Sequence, residues 1–198
     1  NIEHSFENKI NWNLSTYKKL WLYNLNYFDF LNQETLAKEE GLKLIHEFID
    51  TYPSVIDGKE SYPTALRLIN WIKFISRHQI EDPCIFAVIQ ADAQRLCNNL
   101  EYHLLGNHLF ANAKALMFAG LFFYGGETSV WYKTGHKILS NELSEQILSD
   151  GGNFELSTMY HSIILEDLLD LYNLLIFYYR LFELKVLPQL TLKIKINL

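Results

Sequence analysis

The chain has 198 residues and a formal charge of −6, from 17 Lys and Arg against 23 Asp and Glu. That balance argues against general affinity for nucleic acid or anionic membrane, which would need a basic surface. Apolar residues at 49% and charged residues at 20% are the proportions of a folded globular chain rather than a disordered one.

Apolar residues recur at helical spacing almost throughout. Leu36, Leu42, Leu44, Ile45, Phe48 and Ile49 predict a helix over Gln33 to Tyr52, stopped by Pro53. A second runs from Tyr62 to His78, with Pro63 in its first turn and Leu66, Ile69, Ile72 and Phe74 facing a core. A third starts near Pro83 and reaches Leu100. The fourth spans Asn107 to Tyr124, where Ala111, Ala113, Ala115, Ala119 and Gly120 would let another helix approach closely, and Gly125-Gly126 ends it. Two more are expected over Glu127 to Leu148, with Gly135 a soft spot, and over Met159 to Phe182. The fold class is therefore all-α, a row of antiparallel helical hairpins without a fixed-length repeat. After Pro188 the pattern changes: Leu190, Leu192, Ile194, Ile196 and Leu198 alternate with polar residues at strand period. We therefore expect one helical domain over 1–187 and a divergent tail over 188–198, strand-like or disordered.

Two polar islands interrupt the apolar pattern. The first, Glu101-Tyr-His-Leu-Leu-Gly-Asn-His-Leu-Phe-Ala-Asn112, sets an amide and two imidazoles at the start of a helix. The second, Asp150-Gly-Gly-Asn-Phe-Glu-Leu-Ser-Thr-Met-Tyr-His161, breaks the helical pattern with glycines and opens the next helix with a Tyr-His pair. The plainer reading of each is capping and turn chemistry. Two islands on helix starts also suit one site, with Asn107 and His108 placed to grip a substrate. Aromatics at 15%, with twelve Tyr and four Trp, are compatible with walls on which sugar rings stack, although most such rings build cores.

Cys84 and Cys97 fit neither a metal spacing nor a disulfide within one helix, so they read as buried free thiols. A zinc site from His103, His108 and His161 has no recognised ligand spacing, and neither metal nor cofactor is expected in this chain. His103 reads as structural. No apolar run reaches the length of a membrane span, and no signal region is visible, although a chain beginning at Asn1 could have lost a leader.

Four ordered segments carry a family resemblance: Leu20-Trp-Leu-Tyr-Asn-Leu-Asn-Tyr-Phe-Asp29, Tyr62-Pro-Thr-Ala-Leu-Arg-Leu-Ile-Asn-Trp71, Gly106-Asn-His108, and Asp150-Gly-Gly152 through Tyr160-His161. Over roughly Trp12 to Leu175 the chain resembles the N-terminal helical domain of heparinase II/III-type polysaccharide lyases. The resemblance implies an incomplete (α/α) toroid whose groove binds an acidic, uronate-containing polysaccharide. In the family a β-sandwich domain follows, and it is not in this chain. It also implies export to the periplasm or beyond the cell. The resemblance fades after about Tyr172, which suggests a truncated or frameshifted product whose turnover is in doubt.

The chemistry of such lyases explains the residue types. β-Elimination at a 4-linked uronate removes the C5 proton, which is weakly acidic while the neighbouring carboxylate keeps its charge. An amide and an imidazole can hydrogen-bond that carboxylate and stabilise the developing dianion. The resemblance gives this part to Asn107, with His108 beside it. Tyr160 would then take the C5 proton and return one to the departing oxygen, its ordinary pKa of about 10 requiring nearby cations, for which Arg67, His108 and His161 are candidates. Substrate contacts are expected from Arg67, Asn70, Trp71, Glu155 and His161. Arg67 could instead be an ion-pair arginine, Asn70 and Trp71 could pack inside the fold, and His161 could orient the tyrosine. A glycosidase pair drawn from Glu155, Glu166 and Asp167 is the weaker chemistry, since Glu166-Asp167 lies in a leucine-rich helix where it could pair with neighbours. Acidic-glycan binding without turnover, or a helical scaffold with an exposed apolar face, are the rival functions.

Overall fold

A computed structural model describes residues 3–182 except 8, 105 and 125–128. All regular elements among these residues are helical: α1 (Lys19–Tyr27), α2 (Lys38–Thr51), α3 (Ser61–Arg77), α4 (Pro83–Asn98), α5 (Gly106–Tyr124), α6 (Val130–Gln146) and α7 (Thr158–Phe182), with short 3₁₀ turns at Asp29–Asn32 and Tyr52–Ser54. The expected helices are present with ends shifted by a few residues; α1 was not expected. The strand-like tail lies outside the described residues. The chain divides into two compact units, Asn1–Asp92 and Ala93–Leu198, the boundary falling inside α4.

Unit one is built on aromatic packing. Trp12 stacks on Phe28 with ring centroids 4.9 Å apart, and Phe28 meets Trp71 edge-on at 5.3 Å. Phe48 closes the cluster edge-on to Trp12 and Trp71. Fully burying each such side chain contributes roughly 1.5–3 kcal/mol. That offsets the left-handed backbone of Phe28 (φ 62°), a conformation that costs a non-glycine residue about 1–3 kcal/mol and here ends α1. Nearly every residue of α3 from Pro63 to Ile75 is buried, so this helix is the axis of the unit.

Unit two is organised around α5. Leu109, Phe110, Ala113, Met117 and Leu121 pack with Tyr132, Ile138, Leu139 and Leu143 of α6 and with Ile164, Leu168, Leu171 and Leu175 of α7. Two glycines bring α5 and α6 into backbone contact. A Cβ on Gly120 would lie 2.7 Å from the Tyr132 nitrogen, and one on Gly135 would lie 2.6 Å from the Ala113 carbonyl oxygen. The pairings 120 with 132 and 113 with 135 run in opposite senses, so α5 and α6 are antiparallel. Gly135, expected to weaken α6, instead permits this approach.

Among the described residues no helix is long and apolar enough to cross a membrane. Both cysteines are free, but Cys84 is exposed and Cys97 half-buried, which corrects the expectation of buried thiols. Cys84 stands in the first turn of α4 and is exposed, while Ile85 and Ile89 of the same helix are buried in the core.

Candidate active site

The second island folds into a hairpin that feeds α7. The Leu148 amide donates to the Gly152 carbonyl and the Phe154 amide to that of Gln146, with Gly151 at φ 86° making the turn between them. Buried Asn153 accepts from the Glu155 amide at 3.1 Å, and the Glu155 residue itself is exposed. Ser157 then caps α7: its hydroxyl oxygen lies 3.5 Å from the Tyr160 amide, the third helical position, and its carbonyl accepts from His161. The turn-and-cap reading therefore accounts for much of this island. What it leaves over is the Tyr160 side chain, half-buried in the first turn, and an exposed His161.

In the first island the cap reading fails for the amide. Asn107 Oδ1 is buried without a hydrogen-bond partner among the described residues. His108 is held differently: its Nδ1 lies 3.3 Å from Oε1 of Glu101. That carboxylate is itself fixed by Asn112, whose Nδ2 donates to Oε2 at 3.0 Å while its Oδ1 accepts from the Glu101 amide at 3.0 Å. Glu101 and Asn112 are 8% and 0% exposed. The sequence offered Glu101 and Asn112 as the first and last residues of the island, yet nothing in their spacing showed that they close on each other. His103, expected to be structural, is exposed.

A buried ion cluster ties α5 to α7. Lys114 Nζ donates to Asp167 Oδ1 and Asp170 Oδ2, each at 2.6 Å. Burial opposes charge on Lys114, but the two carboxylates outweigh it and raise its pKa. Burial pushes the Asp167 carboxyl up, with Lys114 partly offsetting it. This pairing disposes of Asp167 as half of a glycosidase pair; Glu166 beside it is exposed.

The cluster also sets the register of the two candidate residues. Since Gly135 meets Ala113 and the helices are antiparallel, the last turn of α6 reaches the start of α5. The hairpin returns the chain to Gln146, and α7 begins four residues after Phe154. Hence α5 and α7 start at the same end of unit two. Lys114 stands seven residues after Asn107, and Asp167 seven after Tyr160. Seven residues are about two turns and return to nearly the same face. Asn107 and Tyr160 thus each lie on the face of their own helix that carries the Lys114–Asp167 bridge, roughly 10 Å of helix from it.

Unit one spends its motif residues on the fold. Arg67 is 1% exposed; its guanidinium donates to Asp92 at 2.8 Å and to the Gly58 carbonyl at 2.8 Å, and lies over the Phe48 ring. Tyr52 donates to the same Asp92 carboxylate at 2.5 Å. This answers to the ion-pair alternative, with the charge committed to Asp92 and shut off from solvent. The Asn70 amide donates to the Tyr27 carbonyl and to Asp29, and its oxygen accepts from Asn32. Trp71 is 1% exposed within the aromatic cluster.

The description "Heparinase II/III N-terminus" belongs to the family model that matches residues 63–182, well over half of the chain. The chain belongs to this family. Its heparinase II/III relatives include the heparin-sulfate lyase of Bacteroides thetaiotaomicron, 40% identical over an alignment 146 residues long that covers 63% of this chain and 20% of that protein. The heparin-sulfate lyase of Bacteroides stercoris is 41% identical over 61 residues, 30% of this chain and 9% of that one. The chain thus spans between about a tenth and a fifth of the curated relatives it matches. In fold it is similar to the crystal structure of a heparan sulfate lyase HepC mutant from Pedobacter heparinus. That match has a TM-score of 0.68 at 18% identity and covers 95% of this chain and 33% of the other.

Proposed function

We propose that this chain is the helical part of a polysaccharide lyase that cleaves 4-linked uronate polysaccharides by β-elimination, with glycosaminoglycan of the heparan type as the first substrate to try. What supports the reading is that Asn107 and Tyr160 stand in the first turns of two helices of one unit, the first with a buried amide oxygen that has no partner among the described residues and the second with a half-buried phenol. Asn107 donates to the uronate carboxylate, and His108 supports it from the next position. Tyr160 removes the C5 proton, the C4–O bond breaks as the C4–C5 double bond forms, and a proton goes to the departing oxygen. Positioned proton transfer is worth on the order of a hundred- to ten-thousand-fold. His161 and Glu155, exposed on the same hairpin and helix start, are proposed substrate contacts. Arg67, Asn70 and Trp71 support the fold in this reading.

The test is to incubate the protein with heparan sulfate, with alginate and with other uronate polymers while following the ultraviolet absorbance of the unsaturated product. Tyr160→Phe should lower the rate by about a hundred-fold or more. Equal rates for wild type and Tyr160→Phe would remove Tyr160 from the chemistry. Binding of a uronate oligosaccharide without any absorbance change would favour the second reading, an acidic-glycan module without turnover.

A further inference from the structure

A leucine-rich seam carries little information about register. To the core of unit two α5 contributes Leu109, Ala113, Met117 and Leu121, and α7 contributes Ile164, Leu168, Leu171 and Leu175. Both sets recur at steps of three or four residues. Sliding α7 along α5 by one turn, about 5.4 Å, would lay Leu168 where Ile164 stood and Leu175 where Leu171 stood. Burial of apolar surface is non-directional, so it separates these registers poorly.

Lys114 breaks the degeneracy. Its side chain is 4% exposed, and its ammonium donates at 2.6 Å to each of Asp167 and Asp170, which lie about one turn apart on α7. After a slip one way the same ammonium would face Leu171 and Leu174 in their place, and after a slip the other way Ile163 and Glu166. Each alternative strands a charge in an apolar core. Stability alone does not call for such a cluster, since apolar residues of similar volume serve a core as well, whereas a polar group set once into an apolar seam can fix its register. We propose that Lys114, bridging Asp167 and Asp170, is a positioning residue that selects one register of α7 on α5 and so fixes the height at which Tyr160 stands relative to Asn107. Its consequence for turnover rests on the lyase reading; the register itself does not.

The chain holds two methionines, Met117 at 0% exposure in the shared core and Met159 at 58% in the first turn of α7. Methyl-¹³C-methionine labelling of the whole chain therefore gives two signals, told apart by Met159→Leu. In wild type Met117 should show one narrow line. In the triple variant Lys114→Leu/Asp167→Leu/Asp170→Asn, whose circular dichroism and melting temperature should match those of wild type, it should split or broaden as α7 samples more than one register. One narrow line at the wild-type shift in that folded variant overturns the proposal. So does failure to fold both there and in Lys114→Leu/Asp167→Asn, because the cluster would then serve stability rather than placement. A second arm follows ultraviolet absorbance with heparan sulfate, where the triple variant should lose about a hundred-fold in kcat with a much smaller change in KM. A split line with an unchanged rate overturns the placement of Tyr160 by this cluster. Wild type without turnover on any uronate polymer overturns the lyase reading alone, because the methyl spectrum still decides the register.

Discussion

Asn70 and Asn107 make the sharpest contrast between the two units. Both stand in motifs of the same kind, a polar residue inside an apolar helical run. In unit one every hydrogen-bonding group of the Asn70 amide is taken up by Tyr27, Asp29 and Asn32. In unit two the Asn107 oxygen is buried with no partner among the described residues. The buried cations differ in parallel: Arg67 meets one buried carboxylate and a carbonyl, while Lys114 is shared by two carboxylates, an excess of negative charge. A family motif residue can therefore have its hydrogen bonds filled inside the fold in one place and left open in another.

The largest expected effect tests the structural side. Arg67→Ala removes the cation from Asp92, which is 2% exposed, and should destabilise unit one by about 3–5 kcal/mol in denaturant titration. A loss below about 1 kcal/mol would mean that the arginine is not integral to the fold. Lys114→Met should cost a comparable amount, on the order of 3 kcal/mol, by removing the ammonium that Asp167 and Asp170 share. Adding Asp167→Asn to it should recover part of the loss, because one buried charge then disappears.

The asparagine contrast predicts opposite profiles. Asn70→Ala should lower stability by about 1–3 kcal/mol through its orphaned partners. Asn107→Ala should change stability by no more than about 0.5 kcal/mol yet weaken uronate binding or turnover. Thermal melts and the absorbance assay on both variants decide it; a similar melt for the two would erase the distinction.

The smallest effect concerns pH. Burial alone would raise the Glu60 carboxyl, but Lys19 and Tyr23, together with backbone amides including that of Gly58, bring it down to about 2. A depressed folded value stabilises fully above the ordinary 4.5 and is lost as pH falls toward about 2. Melting temperature should therefore decline over that window, less steeply in Glu60→Gln, and a parallel decline in both would assign the acid sensitivity elsewhere.

Much of the fold was legible because helix periodicity is local. Six of the seven α-helices among the described residues follow from apolar spacing and from Pro and Gly punctuation. The seventh, α1, was missed because its Trp, Tyr and Asn residues carry no clear apolar face, with only Leu22, Asn26 and Tyr27 buried. In α2 the expected start at Gln33 was five residues early, since Gln33 to Ala37 remain in turns before the helix begins at Lys38. The site was legible as residue types on two helix starts. Its supports were not: Glu101 closing on Asn112 and Lys114 reaching Asp167 depend on chain return, which no spacing encodes.

The tryptophans fall unevenly. Trp12, Trp21 and Trp71 belong to unit one, with Trp12 and Trp71 at 2% and 1% exposure, and Trp131 alone belongs to unit two. Intrinsic emission from the natural protein is therefore weighted toward one half, and a Trp131→Phe variant would make it report on that half exclusively. Its spectral shift on unfolding, set against loss of helical ellipticity from the whole chain, would reveal whether the two halves melt together or in turn, with no label attached.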